Sequence, residues 1–345
     1  MSFLLTIIVN FIIGGLMCLV FAGRPFFTPA EELHSGYYAQ QKSDAGNTKG
    51  YRDIIFYNGK FLAVGNDGKI DYINSSGEKA QVANAYKNTL NCVISSDQIV
   101  VAAGDNGIIL FSSDRQVFTK VESGTDKNIN GMAFRNDLLI AGADKGTILI
   151  SKNGETWNSK HLEVKGNIVS ISANDSYWIG ITDRGEIIRS YDGLNWEIKD
   201  YNKEYSGYNK SCIFKKVLLT ENRIVIIGTH DDGSPAVLFS SLGNVWTERL
   251  LIYYDDQGII RSLTNKPNGI TYDPAGDQFI LACDNGVLFS LPSCTKCNVY
   301  AKISTNNLCA IICTGDYLLI VGEEFSISVI RSNFESMSSK SFIES

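Results

Sequence analysis

The sequence predicts an all-β fold: a seven-bladed β-propeller of four-stranded antiparallel blades, preceded by an N-terminal hydrophobic helix. Three observations lead to this prediction. One unit recurs seven times along the chain, made of an apolar run, a glycine turn, a second apolar run and a serine. The chain has 31 glycines but only 6 prolines, which favours tight hairpins over linkers. No long stretch with helical periodicity follows residue 50.

The period of the repeat is given by the second glycine of each turn. Successive spacings are 39, 39, 39, 48 and 53 residues, and the glycines are Gly68, Gly107, Gly146, Gly185, Gly233 and Gly286. The seventh unit has no such glycine, and its equivalent position lies near Phe325 or Ser326. Each unit holds four short apolar or alternating runs bounded by Gly, Asn and Asp, a pattern typical of strands. Four strands in about 40 residues, repeated seven times, indicate a closed ring that protects its strand edges.

The third unit shows the strand pattern most clearly. Its strands are predicted near 129–134, 138–142, 147–151 and 157–162. Closing the ring requires one more strand in the last blade. Two segments remain open for it, residues 36–42 and residues 336–343.

Residues 3–22 carry no charge, and as a helix they would span the hydrocarbon core of a membrane, about 30 Å thick. Two interpretations remain open: an uncleaved anchor, or a signal peptide cut after Ala22. In either case we expect residues 1–22 to place the rest of the chain outside the cytoplasm, secreted or anchored in the membrane. A reversed anchor would leave it cytoplasmic. Residues 23–50 are interpreted as a tether, and residues 51–345 as the propeller.

Composition excludes several classes of protein. With 44% hydrophobic and 20% charged residues, the bulk of the chain is not intrinsically disordered. The formal net charge of −6 argues against a nucleic-acid partner, which requires a basic surplus.

A second motif follows the third strand of several units, and we call the loops that carry it the box loops. The clear copies are SKNGETW and SYDGLNW, and the degenerate copies are SSDRQVF and SSLGNVW. In such a loop an Asx side chain bonds nearby backbone, glycine takes positive φ, and the aromatic ring is buried. The residues assigned to this structural role are Ser112, Asp114, Ser151, Asn153, Gly154, Trp157, Ser190, Asp192, Gly193, Trp196, Ser240, Gly243 and Trp246.

The box loops resemble the Asp-box, S-x-D-x-G-x-x-W, of BNR-type propellers such as sialidases and sortilin-type receptors. The whole repeat is most similar to the photosystem II stability/assembly factor family, over roughly residues 52–335. This resemblance implies that the aromatic rings pack between blades. It also implies a protein partner, of the class of membrane proteins or membrane complexes.

The alternative function is a glycan-binding or glycoside-hydrolysing propeller of the sialidase type. The early R-I-P motif of sialidases is missing, since Arg24-Pro25 lies beside the hydrophobic segment and Arg52-Asp53-Ile54 lacks the proline. We therefore predict no catalytic residues and no enzymatic activity. No cofactor motif is present, so no cofactor is expected.

The chain has eight cysteines. Cys294 and Cys297 replace the box motif of the sixth unit, where a local disulfide is one alternative. No metal site is predicted, because Cys309 and Cys313 would lie about 13 Å apart on one strand. Five cysteines are interpreted as buried free thiols: Cys92, Cys212, Cys283, Cys309 and Cys313.

The longer spacings come from three insertions, residues 200–211, 229–235 and 251–262. By strand count, all three emerge on the face opposite the box loops, around blades four to six. Tyrosine-rich loops on a rigid scaffold are typical of binding surfaces. An equal alternative is drift in surface loops that tolerate insertions. The residues predicted to contact a partner are Tyr201, Tyr205, Tyr208, His230, Asp231, Tyr253 and Tyr254.

Overall fold

The computed structural model describes residues 39–40, 49–96, 98–205, 210–255, 257–292, 298 and 300–331. In this part of the chain, seven four-stranded antiparallel sheets are joined by short loops, and one two-stranded hairpin is added. The predicted seven-bladed propeller is therefore confirmed. The predicted hydrophobic helix at residues 3–22 lies outside the described residues. None of the helices within the described ranges is long and apolar enough to cross a membrane.

Blades one to four follow one another along the chain, each running from an inner to an outer strand. The strands of blades one and two are β2 (Tyr51–Tyr57), β3 (Lys60–Gly65), β4 (Ile70–Ile73), β5 (Lys79–Gln81), β6 (Leu90–Ser95), β7 (Val100–Gly104), β8 (Ile109–Ser112) and β9 (Thr119–Val121). The strands of blades three and four are β10 (Ile129–Arg135), β11 (Leu138–Ala143), β12 (Thr147–Ser151), β13 (Asn158–His161), β14 (Ile168–Ala173), β15 (Trp178–Thr182), β16 (Glu186–Ser190) and β17 (Glu197–Asp200).

Blades five to seven follow a one-turn helix, α1 (Tyr201–Glu204). Blade five contains β18 (Cys212–Leu219), β19 (Ile224–His230), β20 (Pro235–Ser240) and β21 (Thr247–Glu248), and the added hairpin contains β22 (Ile252–Tyr254) and β23 (Ile260–Ser262). Blade six contains β24 (Pro267–Asp273), β25 (Gln278–Cys283), β26 (Val287–Pro292) and β27 (Tyr300–Lys302), and blade seven contains β28 (Leu308–Cys313), β29 (Tyr317–Gly322), β30 (Ile327–Arg331) and β1 (Ala39–Gln40).

The N-terminal side of the chain closes the ring. In β1, Ala39 pairs with Val329 and Gln40 with Ser328, so β1 is the outer strand of blade seven. This decides between the two segments left open by the sequence. Ala39 and Gln40 therefore belong to the propeller rather than to the predicted tether. The competing segment, residues 336–343, lies outside the described residues.

Each pair of neighbouring blades encloses one apolar core, and the described residues form seven such cores. The second strand of a blade contributes to two of them at once. In β7, Val100 and Ala102 face blade one, whereas Val101 and Ala103 face blade three. Because both faces of these strands are buried, their sequences are continuous apolar runs rather than alternating ones.

The innermost strand of every blade contains a β-bulge at the same position. These strands contact the innermost strands of both neighbours and so surround a central channel. A bulge leaves one extra residue outside the regular ladder and redirects its side chain. We call these the bulge residues: Arg52, Asn91, Asn130, Val169, Lys215, Asn268 and Cys309.

Three of the bulge residues are asparagines that link one blade to the next. Asn130 Nδ2 donates to Asp144 Oδ1 at 2.9 Å, in the turn of its own blade, and to the carbonyl of Ile168 in blade four at 3.0 Å. Asn91 and Asn268 make the same two kinds of bond. The aspartates of these turns therefore position the asparagines. We call the face with the turns between second and third strands the turn face, and the opposite face the box face.

Replacing one of these asparagines should weaken a blade interface. Asn130→Ala leaves the buried carbonyl of Ile168 without its side-chain donor, which costs about 1–3 kcal/mol of unfolding free energy. Urea denaturation of the purified protein measures this loss. Lys152→Ala, in an exposed box-loop position, is the control and should change the value by less than about 0.5 kcal/mol. Equal values for the two variants would contradict the linking role.

Candidate functional site

The first insertion, residues 200–211, is held against blade five at both ends. At its start, Asp200 Oδ1 accepts a hydrogen bond from the backbone N–H of Lys203 at 3.1 Å and caps α1. At its end, Asn202 Oδ1 accepts from Cys212 N at 2.7 Å, and Asn202 Nδ2 donates to the carbonyl of Cys212 at 2.9 Å. These bonds fold the insertion onto the ring.

The tyrosines of this insertion differ in exposure. Tyr201 is 1% exposed, and its ring stacks on Tyr205 with centroids 4.6 Å apart. The Tyr201 ring also lies 5.7 Å from Phe214 in the core between blades four and five. The hydroxyl of Tyr205 accepts a hydrogen bond from Trp246 N at 3.3 Å. Tyr201 therefore has almost no surface left for a partner, and Tyr208 lies outside the described residues.

His230 is buried between a thiol and a carboxylate. Its Nε2 lies 2.6 Å from Glu248 Oε1, and its Nδ1 lies 3.6 Å from Cys212 Sγ. Cysteine, histidine and carboxylate in this order resemble a nucleophilic triad. However, burial, reinforced by the negative charges of Glu248 and Asp231, raises the pKa of the Cys212 thiol to about 12. The thiol stays protonated at neutral pH, so the cluster fastens β18, β19 and β21 together rather than supplying a nucleophile.

The second insertion meets the first on the turn face. Asp231 is exposed, and its backbone N–H donates to the carbonyl of Ser211 at 2.9 Å. The next residue, Asp232, forms an ion pair with Lys210. The Lys210 ammonium, together with hydrogen bonds from Ser234, holds the pKa of Asp232 well below its usual range. These contacts bring the first two insertions together, as the strand count predicts.

The third insertion forms the hairpin of β22 and β23, which contacts blade six. The ring of Tyr253 lies 6.2 Å from Phe289 in β26. The carbonyl of Ile252 accepts a hydrogen bond from Asn298 Nδ2 at 2.8 Å. Leu251 and Leu263, at the two ends of the hairpin, are buried in the core between blades five and six. The hairpin is thus anchored at the perimeter of the ring, beside blade six.

One face of this hairpin is apolar and exposed. Tyr254 pairs with Ile260 and Ile252 pairs with Ser262, so these four side chains share one face. Ile252 is 40% exposed, Tyr254 53% and Ile260 57%. Tyr254 is among the partner contacts predicted from the sequence, but the two isoleucines are not. Residues 251–262 are interpreted there as a loop, in which the alternation of faces has no meaning.

The turn of the hairpin is fixed by one carboxylate. Asp255 Oδ1 accepts hydrogen bonds from Gln257 N at 3.0 Å and Ile259 N at 2.8 Å, and Asp255 Oδ2 pairs with Arg261 Nε at 2.9 Å. The hydrogen bond from Ile259, followed by the contribution of Arg261, lowers the pKa of Asp255. The carboxylate stays ionised at neutral pH, and the hairpin keeps a defined shape.

The clear box loops share one set of hydrogen bonds. In blade four, Asp192 Oδ1 accepts from Leu194 N and Asn195 N, and Ser190 Oγ accepts from Gly193 N at 2.8 Å. The two backbone hydrogen bonds, from Asn195 and Leu194, hold the pKa of Asp192 well below its usual range. In blade three, Ser151, Asn153 and Gly154 take the equivalent places. In both loops the indole Nε1 donates to the carbonyl of the loop glycine, Trp157 to Gly154 and Trp196 to Gly193.

The degenerate box loops keep part of this set. In blade two, Asp114 Oδ1 accepts from two backbone N–H groups and from Ser112 Oγ, and Arg115 takes the positive φ of 64° that glycine has elsewhere. In blade five, Gly243 N donates to Ser240 Oγ at 2.8 Å, although leucine replaces the aspartate. Trp246 is buried against blade four. The aromatic ring and the serine therefore persist where the carboxylate is lost.

The cysteines of the described residues are free thiols. Among the described residues, no three His, Cys, Asp or Glu side chains are arranged to hold a metal ion. Cys294 and Cys297 lie outside the described residues, so their disulfide stays a prediction. The buried thiols are Cys92, Cys212 and Cys283, and the partly exposed ones are Cys309 and Cys313.

Comparisons with known proteins show the fold alone. No family model and no curated protein sequence matches the chain. A catalytically inactive virginiamycin B lyase from Staphylococcus aureus with quinupristin is similar, with a TM-score of 0.69 at 13% identity over 85% of this chain and 99% of that chain. The structure titled YCF48 bound to D1 peptide gives 0.65 at 16% identity over 90% and 100%. YCF48 from Cyanidioschyzon merolae gives 0.62 at 14% identity over 85% and 98%.

The buried thiol of Cys212 should make stability depend on pH in alkali. Its pKa is raised from 9.0 to about 12, so the unfolded chain loses this proton first as the pH rises. The stabilisation is complete below pH 9 and is lost as the pH rises toward 12. Between pH 8 and pH 10.5, the unfolding free energy of the Cys212→Ala variant should fall by about 2 kcal/mol less than that of the unchanged protein. Urea titrations at both pH values measure the difference, and parallel declines would contradict it.

Proposed function

We propose that this chain is a non-catalytic propeller scaffold that binds a protein partner through the turn face and perimeter of blades four to six. The hairpin of β22 and β23 provides the principal contact. At the junction of the first two insertions, the exposed Asp231 and the half-buried Tyr205 contribute to the same surface. The box-loop geometry supports the resemblance to Asp-box propellers, in which these loops are structural.

The observation that carries this proposal is the unpartnered apolar face of the hairpin. The hairpin lies outside the four-stranded blades and is not needed to close the ring. Ile252, Tyr254 and Ile260 nevertheless expose apolar surface side by side, on a support fixed by Asp255 and Tyr253. Contiguous exposed apolar surface of this kind is typical of interaction sites. A fixed hairpin loses little conformational entropy when it binds, which favours affinity.

A protein is the partner class that fits this surface. The apolar side chains of this face are 40–57% exposed, whereas small molecules are bound in pockets that enclose most of their surface. Tyrosine at the centre of an exposed apolar surface is typical of protein interfaces. The similarity to the YCF48 structure bound to the D1 peptide supports the same class of ligand for this fold.

The hairpin proposal is tested by removing its apolar face. In the triple variant Ile252→Ser, Tyr254→Ser, Ile260→Ser, the amount of partner recovered by affinity purification should fall at least about tenfold, because the buried apolar area of the interface is lost. Quantitative mass spectrometry of proteins that copurify from the membranes of the producing cells measures this. The thermal unfolding transition should stay unchanged, since these side chains are exposed.

The matched control removes three apolar side chains from the box face. Val117, Leu242 and Val245 are 61%, 68% and 72% exposed, and their triple change to serine should leave recovery intact. If both triple variants recover the partner as well as the unchanged protein does, the hairpin is not the contact. Turnover of a glycoside by the purified protein would instead favour the hydrolase alternative.

The proposal also includes placement outside the cytoplasm, membrane-anchored or secreted, through residues 3–22. Protease added to intact cells or sealed vesicles should then cleave the propeller only from the non-cytoplasmic side. Protection there, with cleavage from the cytoplasmic side, would overturn this placement. N-terminal sequencing distinguishes the two forms, because a cleaved signal peptide leaves Gly23 first and an anchor leaves the chain uncut.

A further inference from the structure

The bulge residues bring two positive charges to the mouth of the central channel. Where blades two, three and six have a linking asparagine, blade one has Arg52 and blade five has Lys215. Both lie at the turn-face end of the channel, since the bulge residues contact the turns between second and third strands. The chain as a whole carries a formal net charge of −6, so these two cations are opposite in sign to the net charge of the protein.

Lys215 is held over its neighbour in blade six. Its Nζ donates a hydrogen bond to Asn268 Oδ1. The amide of Asn268 is fixed in that orientation, because its Nδ2 donates to Asp284 Oδ1 at 2.7 Å and to the carbonyl of Leu308 at 2.8 Å. Lys215 is accessible to solvent, but the protein around it partly desolvates the ammonium and lowers its pKa; Asp284 raises the pKa, and Lys216 and Arg52 lower it. The ammonium thus faces one carboxylate and two like charges, and its hydrogen-bond acceptor is a neutral amide.

Arg52 is exposed at the same mouth. Its guanidinium forms no hydrogen bond or ion pair with any residue within the described ranges. Five N–H donors are therefore available in the planar arrangement that matches carboxylate and phosphate oxygens.

An ion pair crosses the channel next to these two residues. Lys216 of blade five lies 3.9 Å from Asp53 Oδ1 of blade one, and Asp53 Oδ2 accepts a hydrogen bond from Val93 N at 3.0 Å. Lys216 and Asp53 immediately follow Lys215 and Arg52 in sequence. The pair therefore spans the channel beside the bulge residues and adds a third cation, which is paired with Asp53.

We propose that the mouth of the central channel binds an oxyanion, a carboxylate or a phosphate, between Arg52 and Lys215 and above the Lys216–Asp53 pair. Arg52, Lys215 and Lys216 place three cations at this mouth against the carboxylates of Asp53 and Asp284, and an oxyanion beside Arg52 compensates the remaining positive charge. Arg52 supplies paired N–H donors and Lys215 a mobile charge. This site is separate from the hairpin and independent of the proposed protein partner.

Isothermal titration of the full chain with inorganic phosphate and with citrate tests the site. We expect at least one of the two to bind, and Arg52→Gln and Lys215→Gln each to weaken binding about tenfold. Lys215→Arg keeps the charge and should bind within about threefold of the unchanged protein. Arg184→Gln removes an exposed arginine from a turn-face loop outside the channel mouth and should have no effect. Tighter binding of citrate identifies a carboxylate ligand, and tighter binding of phosphate a phosphate ligand.

Cys309, the bulge residue of blade seven, gives a second readout at the same mouth. It is partly exposed, and burial raises the pKa of its thiol, an effect that Arg52 and Lys215 reduce and that Glu323 and Asp284 reinforce. Iodoacetamide labelling, followed by peptide mass spectrometry, should be slower when the binding anion is present. The anion should not protect Cys309 in the Arg52→Gln, Lys215→Gln double variant.

No binding of either anion below about 10 mM, or equal affinity of Arg52→Gln and the Arg184→Gln control, would overturn the proposal.

Discussion

Burial of apolar side chains between neighbouring blades is the interaction on which the rest of this structure depends. Within the described part of the chain no blade encloses a core of its own, since each of the seven cores takes residues from two blades. Tyr51 and Phe61 of blade one, for example, share a core with Leu319 and Val321 of blade seven. A blade without its neighbours would expose both faces of its second strand to water. Closing the ring is therefore what gives every blade a core on both sides.

The sequence predicts much of the fold because the same constraint acts on every unit. Both faces of β11 are buried, so residues 138–143 are almost all apolar, and the turn before it requires positive φ at Asn136 and Asp137. Such positions recur with the period of the blade and locate the strands to within one or two residues. The closing strand could not be chosen in this way. It has two residues, Ala39 and Gln40, which carry no apolar pattern.

The candidate site is less visible in the sequence, because tertiary contacts decide which polar and aromatic residues stay on the surface. Tyr201 and His230 lie in insertions and look exposed, but packing on Phe214 and pairing with Glu248 bury them. Conversely, Ile252 and Ile260 look like interior residues, and the pairing of β22 with β23 turns them outward. The role of the bulge residues cannot be predicted from the sequence for a related reason. A polar residue within an apolar strand has no evident role until the bulge places it beside the next blade.

The closing strand also has a mechanical consequence. Force applied to the chain ahead of residue 39 reaches the ring through the two residue pairs that join β1 to β30. The core between blades seven and one is built from other strands, with Ala63 and Val329 among its members. Peeling β1 away would therefore break a short ladder while that core stays intact. Tension on the N-terminal side would be absorbed at the perimeter of blade seven, and blades three and four, on the far side of the ring, would keep their shape.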